Sequence, residues 1–423
     1  MTKRRRLLMI AYYFPPMGMG GVQRPLKFAK YLPDLGWDVT VVTPQPGEYF
    51  AKDETLLDDL PESVEVVRIK SLDPSPPRKL REYVPDNPLL YRGVSMLVEK
   101  MQRWARWPDG KIHFSRVAAR EAMRLFDDQP FDAVYTTSPP PSIHMAGQRV
   151  QSELRIPWVA DFRDPWLVSA DDWGPTRIHR NRAETLRARF LDHADHILAM
   201  NDLVADTFNT VTPLRGLSII PNGYDEADFA DVNSPKAEGD FVIAYYGTVS
   251  AQTDIQPVLD VLDEFTARHP ERPVRLKHIG TTVGMEAISH PAYESLGYLP
   301  HKEAIAQLCG ADAVVITLDS DPGLRMTIPG RTYEVLRTLR PILVIAPESS
   351  ILSQVLLPFH GVWTCDCSDR ESALNALDQI QRLGHRAVVR DINSIRRFDR
   401  RAQTFQLAGV LDDLAASEEK ESE

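Results

Sequence analysis

The chain has 423 residues, 43% of them hydrophobic and 26% charged, which excludes a disordered protein and calls for two domains of roughly 200 residues each. A formal charge of −10 argues against nucleic acid as the main partner, because phosphate binding needs a cationic surface. Three cysteines, Cys309, Cys365 and Cys367, cannot build a disulfide framework or a zinc site and fit reduced thiols of a cytoplasmic protein.

Thr2-Lys3-Arg4-Arg5-Arg6 precedes an apolar run that stops at Tyr12-Tyr13-Phe14-Pro15-Pro16. The run is too short for a secretory core or a bilayer span and reads as a first buried strand. Leu7–Tyr12, Val39–Thr43, Val64–Ile69, Phe131–Thr136, Pro157–Asp161, His196–Met200 and Leu217–Ile220 are predicted strands, with helical stretches such as Val22–Leu35 between them. Continuous apolar strands separated by helices predict a parallel sheet covered on both faces, a doubly wound α/β domain over 1–226. Ala227–Asp240 has linker chemistry. Alternation resumes at Phe241–Tyr246, Val274–Ile279, Ala313–Leu318 and Pro341–Ile345, predicting a second doubly wound domain over 240–392 and a helical tail at Asn393–Leu414.

One segment interrupts the first domain. After the proline-rich stretch Asp73–Pro88, Leu90, Val94, Leu97, Met101 and Trp104 share one helical face, with Arg92, Arg103 and Arg106 opposite. Between Arg78 and Lys111 stand eight basic and four acidic residues. Two readings are open: a surface helix packed on its own domain, or peripheral contact with an anionic membrane.

Ligands of open parallel sheets collect beyond the carboxyl ends of strands, and four loops there carry chemistry. Met17-Gly18-Met19-Gly20-Gly21-Val22-Gln23-Arg24 lets amides approach an anion or simply makes a tight turn; it lacks the third glycine of G-x-G-x-x-G and the Gly-Lys-Ser/Thr of a P-loop. Thr136-Thr137-Ser138-Pro139-Pro140-Pro141 leads to His144, structural or functional. Asp161-Phe162-Arg163-Asp164-Pro165-Trp166 sets three charges at a strand end, paired with each other or with a polar ligand. In the fourth, Thr327-Ile328-Pro329-Gly330-Arg331 opens a helix, with Glu334 one turn in as a partner of the helix dipole or an acceptor from ribose hydroxyls.

These strings, together with Ile220-Pro221-Asn222-Gly223-Tyr224-Asp225, occur in an order that resembles the family 4 group of GT-B glycosyltransferases, particularly bacterial members acting on surface-polysaccharide or lipid-linked acceptors. The resemblance covers nearly the whole chain. It implies two Rossmann-like domains facing across a cleft, the last helix returning to the first domain, and transfer of a sugar from a nucleoside-diphosphate sugar to a glycan or lipid-linked acceptor with retention of configuration. No other cofactor and no metal is implied. Carried over, Glu334 would bind the donor ribose, Thr327, Gly330 and Arg331 would hold the diphosphate with Gly247-Thr248, and Gly297-Tyr298-Leu299 would sit by the base. His144 would lie near the transferred sugar, with Gly20, Gly21, Arg24, Asp161, Arg163 and Asp164 on the acceptor side. Two departures stand out. Met326 replaces the first of two glutamates frequent before the donor helix, and no Arg/Lys pair follows Gly247. Arg325 or Arg331 would then supply the missing charge. Two other functions stay open: a nucleotide-sugar epimerase or hydrolase, since fold does not set reaction, and a non-catalytic binding homologue.

Overall fold

The computed structural model describes residues 4–47, 51–72, 107–164, 166, 176–230, 232, 240–250, 253–283, 288–383 and 391–422. The amphipathic segment expected at 90–104 lies outside them. The chain divides into two compact units, Met1–Pro221 with Thr404–Glu423, and Asn222–Gln403.

Seven strands build the first unit: β1 (Arg5–Ala11), β2 (Trp37–Pro44), β3 (Glu65–Ile69), β4 (Ala133–Ser138), β5 (Trp158–Phe162), β6 (His196–Ala199) and β7 (Leu217–Ile219). Their order is β3-β2-β1-β4-β5-β6-β7, and every pairing is parallel, with Leu7 opposite both Val39 and Ala133. Alternate side chains point to opposite faces, and both faces of β1 are buried, which explains its unbroken apolar run. Among the described residues, five helices alternate with the strands: α1 (Gln23–Tyr31), α2 (Ile112–Asp128), α3 (Ile143–Leu154), α4 (Arg177–His193) and α5 (Asp202–Asn209). Arg177, Arg180, Arg182 and Arg189 of α4 are exposed, Arg187 is half-buried and donates to Trp166 O, and His179, Ala183, Leu186 and Phe190 are in the buried stripe.

The second unit has strands β8 (Phe241–Tyr246), β9 (Val274–Ile279), β10 (Tyr293–Gly297), β11 (Ala313–Thr317), β12 (Ile342–Ile345) and β13 (Val362–Cys365), in the order β10-β9-β8-β11-β12-β13, again all parallel. Its helices are α6 (Gln256–Arg268), α7 (His301–Gly310), α8 (Thr332–Arg337), α9 (Ile351–Leu356), α10 (Arg370–Leu383) and α11 (Ile392–Ile395). Ile243 and Tyr245 pack with α6 and α10 on one face, Val242 and Ala244 with α7, α8 and α9 on the other. Sequence reading missed β10 and β13. Both are sheet edges, and their half-exposed, partly polar residues carry no continuous apolar signal.

The boundary falls before Asn222, so the division is earlier than the linker expected at 227–240. Backbone pairing gives the reason. Tyr224 N–H donates to Phe398 O at 3.0 Å, and Arg400 N–H to Tyr224 O at 2.8 Å. A Cβ on Gly223 would stand 2.0 Å from Phe398 O, so the Asn-Gly-Tyr string is a close backbone approach that only glycine permits. The last helix, α12, runs Arg400–Ser422 rather than Asn393–Leu414. From Thr404 it belongs to the first unit, where Leu407, Ala408 and Leu411 share a core with Leu7, Met9 and Trp37. Among the described residues no helix is long and apolar enough to cross a membrane.

Candidate active site

Each sheet reverses its strand order at its first strand, between β1 and β4 and between β8 and β11. Carboxyl-end loops at such a switch point are where ligands of doubly wound folds collect. The loops selected from sequence lie beside both points: Gly20–Gly21 after β1 and the stretch 136–144 running out of β4 in the first unit, Gly247-Thr248 after β8 and 327–331 between β11 and α8 in the second.

In the first unit the charges separate by depth. Asp161 and Arg24, both expected on the acceptor side, are fully buried and pair with each other. Arg24 Nε donates to Asp161 Oδ2 at 2.7 Å and Nη2 to Oδ1 at 2.8 Å; the Tyr135 hydroxyl and Thr137 Oγ1 also donate to this carboxylate. Arg24 Nη1 reaches Pro221 O at 2.8 Å. Burial alone would raise the Asp161 pKa, but the guanidinium and the hydrogen bonds overcome it and hold the carboxyl below its ordinary value. This pair is a brace inside the domain, where the expectation had it facing an acceptor.

Arg163 does the complementary job at the rim. Its Nε donates to Ser138 O at 2.7 Å, Nη1 to Gly21 O, and Nη2 to Pro139 O at 3.4 Å. One half-buried guanidinium thus ties together the loops that follow β1, β4 and β5. Carbonyl partners leave its positive charge in place, unlike a carboxylate partner. Asp164 is exposed. Gly20 is exposed beside Met19, which takes φ 81° itself, so the left-handed residue of the loop is a methionine.

His144 sits in the first turn of α3 with no exposed surface. Phe162, Phe190 and Trp158 surround its ring at centroid distances of 4.3, 5.7 and 6.1 Å. Its Nδ1 lies 2.8 Å from Thr136 Oγ1, while Nε2 is buried without a hydrogen-bond partner. Burial, with a smaller push from Arg163, lowers its pKa to about 3. In this structure the ring is a neutral core residue, and enclosure by aromatics replaces the sugar contact expected of it. The unfolded chain therefore takes up the proton first, between the ordinary 6.5 and about 3. Stability of this unit is expected to be full above that upper value and to fall as pH drops through the window. Urea midpoints followed by tryptophan fluorescence at neutral and mildly acidic pH check this: His144→Phe should flatten the slope, and an identical slope would remove the account.

The second unit gathers a different set. Gly247, at φ 122°, ends β8 in a conformation that favours glycine. A Cβ there would lie 2.4 Å from Arg331 Nη1. Arg331 packs against this turn, its guanidinium 4.9 Å from the Tyr245 ring centroid and its Nη2 donating to Tyr245 Oη at 2.9 Å. The turn is closed by Thr253 Oγ1 donating to Thr248 O at 2.7 Å. His278, fully buried on β9, lies 2.8 Å from Gly247 O through Nε2 and 2.7 Å from Tyr293 Oη through Nδ1. A carbonyl only accepts, so Nε2 carries the proton; burial lowers the ring's pKa and keeps it neutral.

Arg331 is the N-cap of α8, and Glu334 is buried one turn later. Gly330 stands beside Asn222, and Thr327 N–H donates to Leu324 O at 2.9 Å. Gly297 ends β10 with φ 69°, leading into half-buried Tyr298 and Leu299. Arg325 is exposed, and its carbonyl accepts from Ile351 N–H at 2.8 Å. Sequence reasoning passed over Tyr245, Tyr246, His278, His301 and Asp228. Tyr245 and His278 contact the Gly247 turn, and Tyr246 and Asp228 meet at His301 beside Glu334, but single tyrosines and histidines in apolar strands or at helix starts carry no distinguishing spacing.

Residues 20–223 match the family model described as a glycosyl transferase 4-like domain. No curated protein sequence matches. Among solved structures, sucrose-phosphate synthase from Thermosynechococcus elongatus superposes with a TM-score of 0.64 at 14% identity, covering 98% of this chain and 100% of that one. The HepE protein of Anabaena, in complex with UDP-glucose, gives 0.63 at 14% identity, covering 96% and 99%. Trehalose 6-phosphate synthase from Burkholderia multivorans gives 0.63 at 12% identity, covering 99% and 98%. The fold is therefore GT-B, with a match to a glycosyl transferase 4-like domain over residues 20–223.

Proposed function

We propose that this protein transfers a sugar, with retention of configuration, from a nucleoside-diphosphate sugar to a glycan or lipid-linked acceptor of surface-polysaccharide assembly. One observation carries the reading: Arg331 lies over the Gly247 turn at the switch point of the second sheet, with Glu334 one turn beyond it. That arrangement offers a cation for a diphosphate and a carboxylate for ribose hydroxyls. The structural neighbour HepE, solved with UDP-glucose, supports a donor of this class.

The chemistry follows from the charges. The bond between the anomeric carbon and the phosphate oxygen breaks toward an oxocarbenium-like centre, and negative charge gathers on the leaving diphosphate. Arg331, placed in advance, lowers that barrier by electrostatics, in the position a divalent metal takes elsewhere. The acceptor hydroxyl attacks the anomeric carbon and its proton passes to the leaving phosphate, so no protein base is required. Arg331 also answers the departure noted in the sequence. It is held by Tyr245, on a strand, and can substitute for the cation pair that does not follow Gly247.

A thermal-shift screen with UDP, GDP, ADP and dTDP tests the reading. A diphosphate at about 100 times its dissociation constant should add about 2.7 kcal/mol. Incubation with the matching nucleotide sugars should then release free diphosphate slowly. Absence of any shift at millimolar nucleotide would remove the proposal; conversion of the sugar without diphosphate release would replace transfer by isomerisation.

A further inference from the structure

His301 opens α7 with its ring 7% exposed, and three other elements of the second unit turn a titratable group toward it. Asp228, from the turn Glu226–Phe229, places Oδ2 at 3.2 Å from Nε2. Glu334, from α8, places Oε1 at 3.6 Å from the same nitrogen. Tyr246, at the end of β8, has its hydroxyl 3.4 Å from Nδ1. Tyr298 and Arg331 lie close enough to act electrostatically on Tyr246, whose pKa burial and Glu334 push well above its ordinary value. On the helix itself, Lys302 and Glu303 are exposed.

Repulsion where water is excluded drives one of two buried carboxylates facing one imidazole to take up a proton, and both stay ionised only if a positive charge stands between them. An imidazolium supplies it and donates from both nitrogens, Nε2 to Asp228 and Nδ1 to the tyrosine oxygen. The two carboxylates are not equivalent. Asp228 is within hydrogen-bond distance, whereas 3.6 Å to Glu334 is an ion-pair contact. Asp228 therefore anchors the ring, and the ring holds Glu334 by charge.

We propose that His301 is a positioning residue: an imidazolium anchored on Asp228 that keeps the Glu334 carboxylate ionised and aimed for the hydroxyls of a donor ribose. The proposal rests on the assignment of Glu334 to the ribose made above. His301 itself touches no substrate. As pH rises through its titration the cation is lost, Asp228 and Glu334 face each other unshielded, and the preference for ribose weakens.

Calorimetric titration with a matched pair of probes tests this: the nucleoside diphosphate selected by the thermal-shift screen and its 2′-deoxy counterpart, from about pH 6 to about pH 8.5. Wild-type protein is expected to prefer the ribonucleotide about tenfold at the acid end, with the preference shrinking toward the alkaline end. His301→Gln, which can donate but carries no charge, should bind with a smaller, pH-independent preference, and His301→Ala should discriminate least. A wild-type preference and slope retained in both variants would overturn the proposal while leaving the donor reading intact. Failure of every diphosphate to bind wild-type protein would remove both. Should His301→Ala not fold, the glutamine variant and the ring nitrogen shifts of wild-type His301 decide: a neutral ring at the acid end overturns the proposal, a doubly protonated one supports it.

Discussion

Replacing Asp161 by alanine is expected to destabilise the first unit by about 3–5 kcal/mol. The substitution strands a guanidinium with no exposed surface, together with the Tyr135 and Thr137 hydroxyls that donate to the lost carboxylate. An exposed ion pair would cost about 1 kcal/mol or less, so the measured value separates a buried brace from a surface contact. The combined change Arg24→Met with Asp161→Leu should recover most of the loss, since it removes both charges together. Acid tests the same pair. The folded carboxyl lies below its ordinary 3.8, so its contribution is complete above that value and disappears as pH falls through the lower, folded one. Urea midpoints of the single and double variants would show it; a loss near 1 kcal/mol for Asp161→Ala would refute the brace.

Arg331→Ala is expected to lower donor turnover by about 10²–10³-fold, the range for loss of one preorganised group facing transition-state charge. The fall should appear in kcat more than in KM, because charge on the leaving diphosphate develops as the bond breaks. Arg331→Lys should restore part of it, as an ammonium keeps the charge but loses the guanidinium's contact with the Tyr245 ring and hydroxyl. Arg325→Ala is the control: that side chain is exposed, and its removal should leave turnover within a few-fold of wild type. Rates of nucleotide-sugar hydrolysis decide between the two arginines. Full activity in Arg331→Ala with loss in Arg325→Ala would move the role to Arg325.

The loops after β1, β4, β5 and β8 could be placed because proline, glycine and clustered charge interrupt apolar runs that only a doubly buried strand needs. Partners within those loops could not. Asp161 and Arg163 are two positions apart in sequence, yet one points into the core toward Arg24 and the other to three carbonyls, because Asp161 is still in β5 while Arg163 lies in the loop beyond its last residue, Phe162. The Asn-Gly-Tyr string of residues 222–224, legible as a motif, gave no hint that its purpose is pairing with residues 398–403.

Sequence alone was sufficient for the two-domain α/β class, the positions of most central strands, and the GT-B architecture. Each of these depends on local periodicity and on short strings that a backbone turn or a buried strand imposes directly. Tertiary structure decided the edge strands β10 and β13, the burial of His144 among Phe162, Phe190 and Trp158, and the meeting of Asp228, His301 and Glu334. Those features join residues tens of positions apart. Their charge states and roles come from what surrounds them in space, through desolvation and Coulomb attraction, and neither quantity is written in the spacing of residues along the chain.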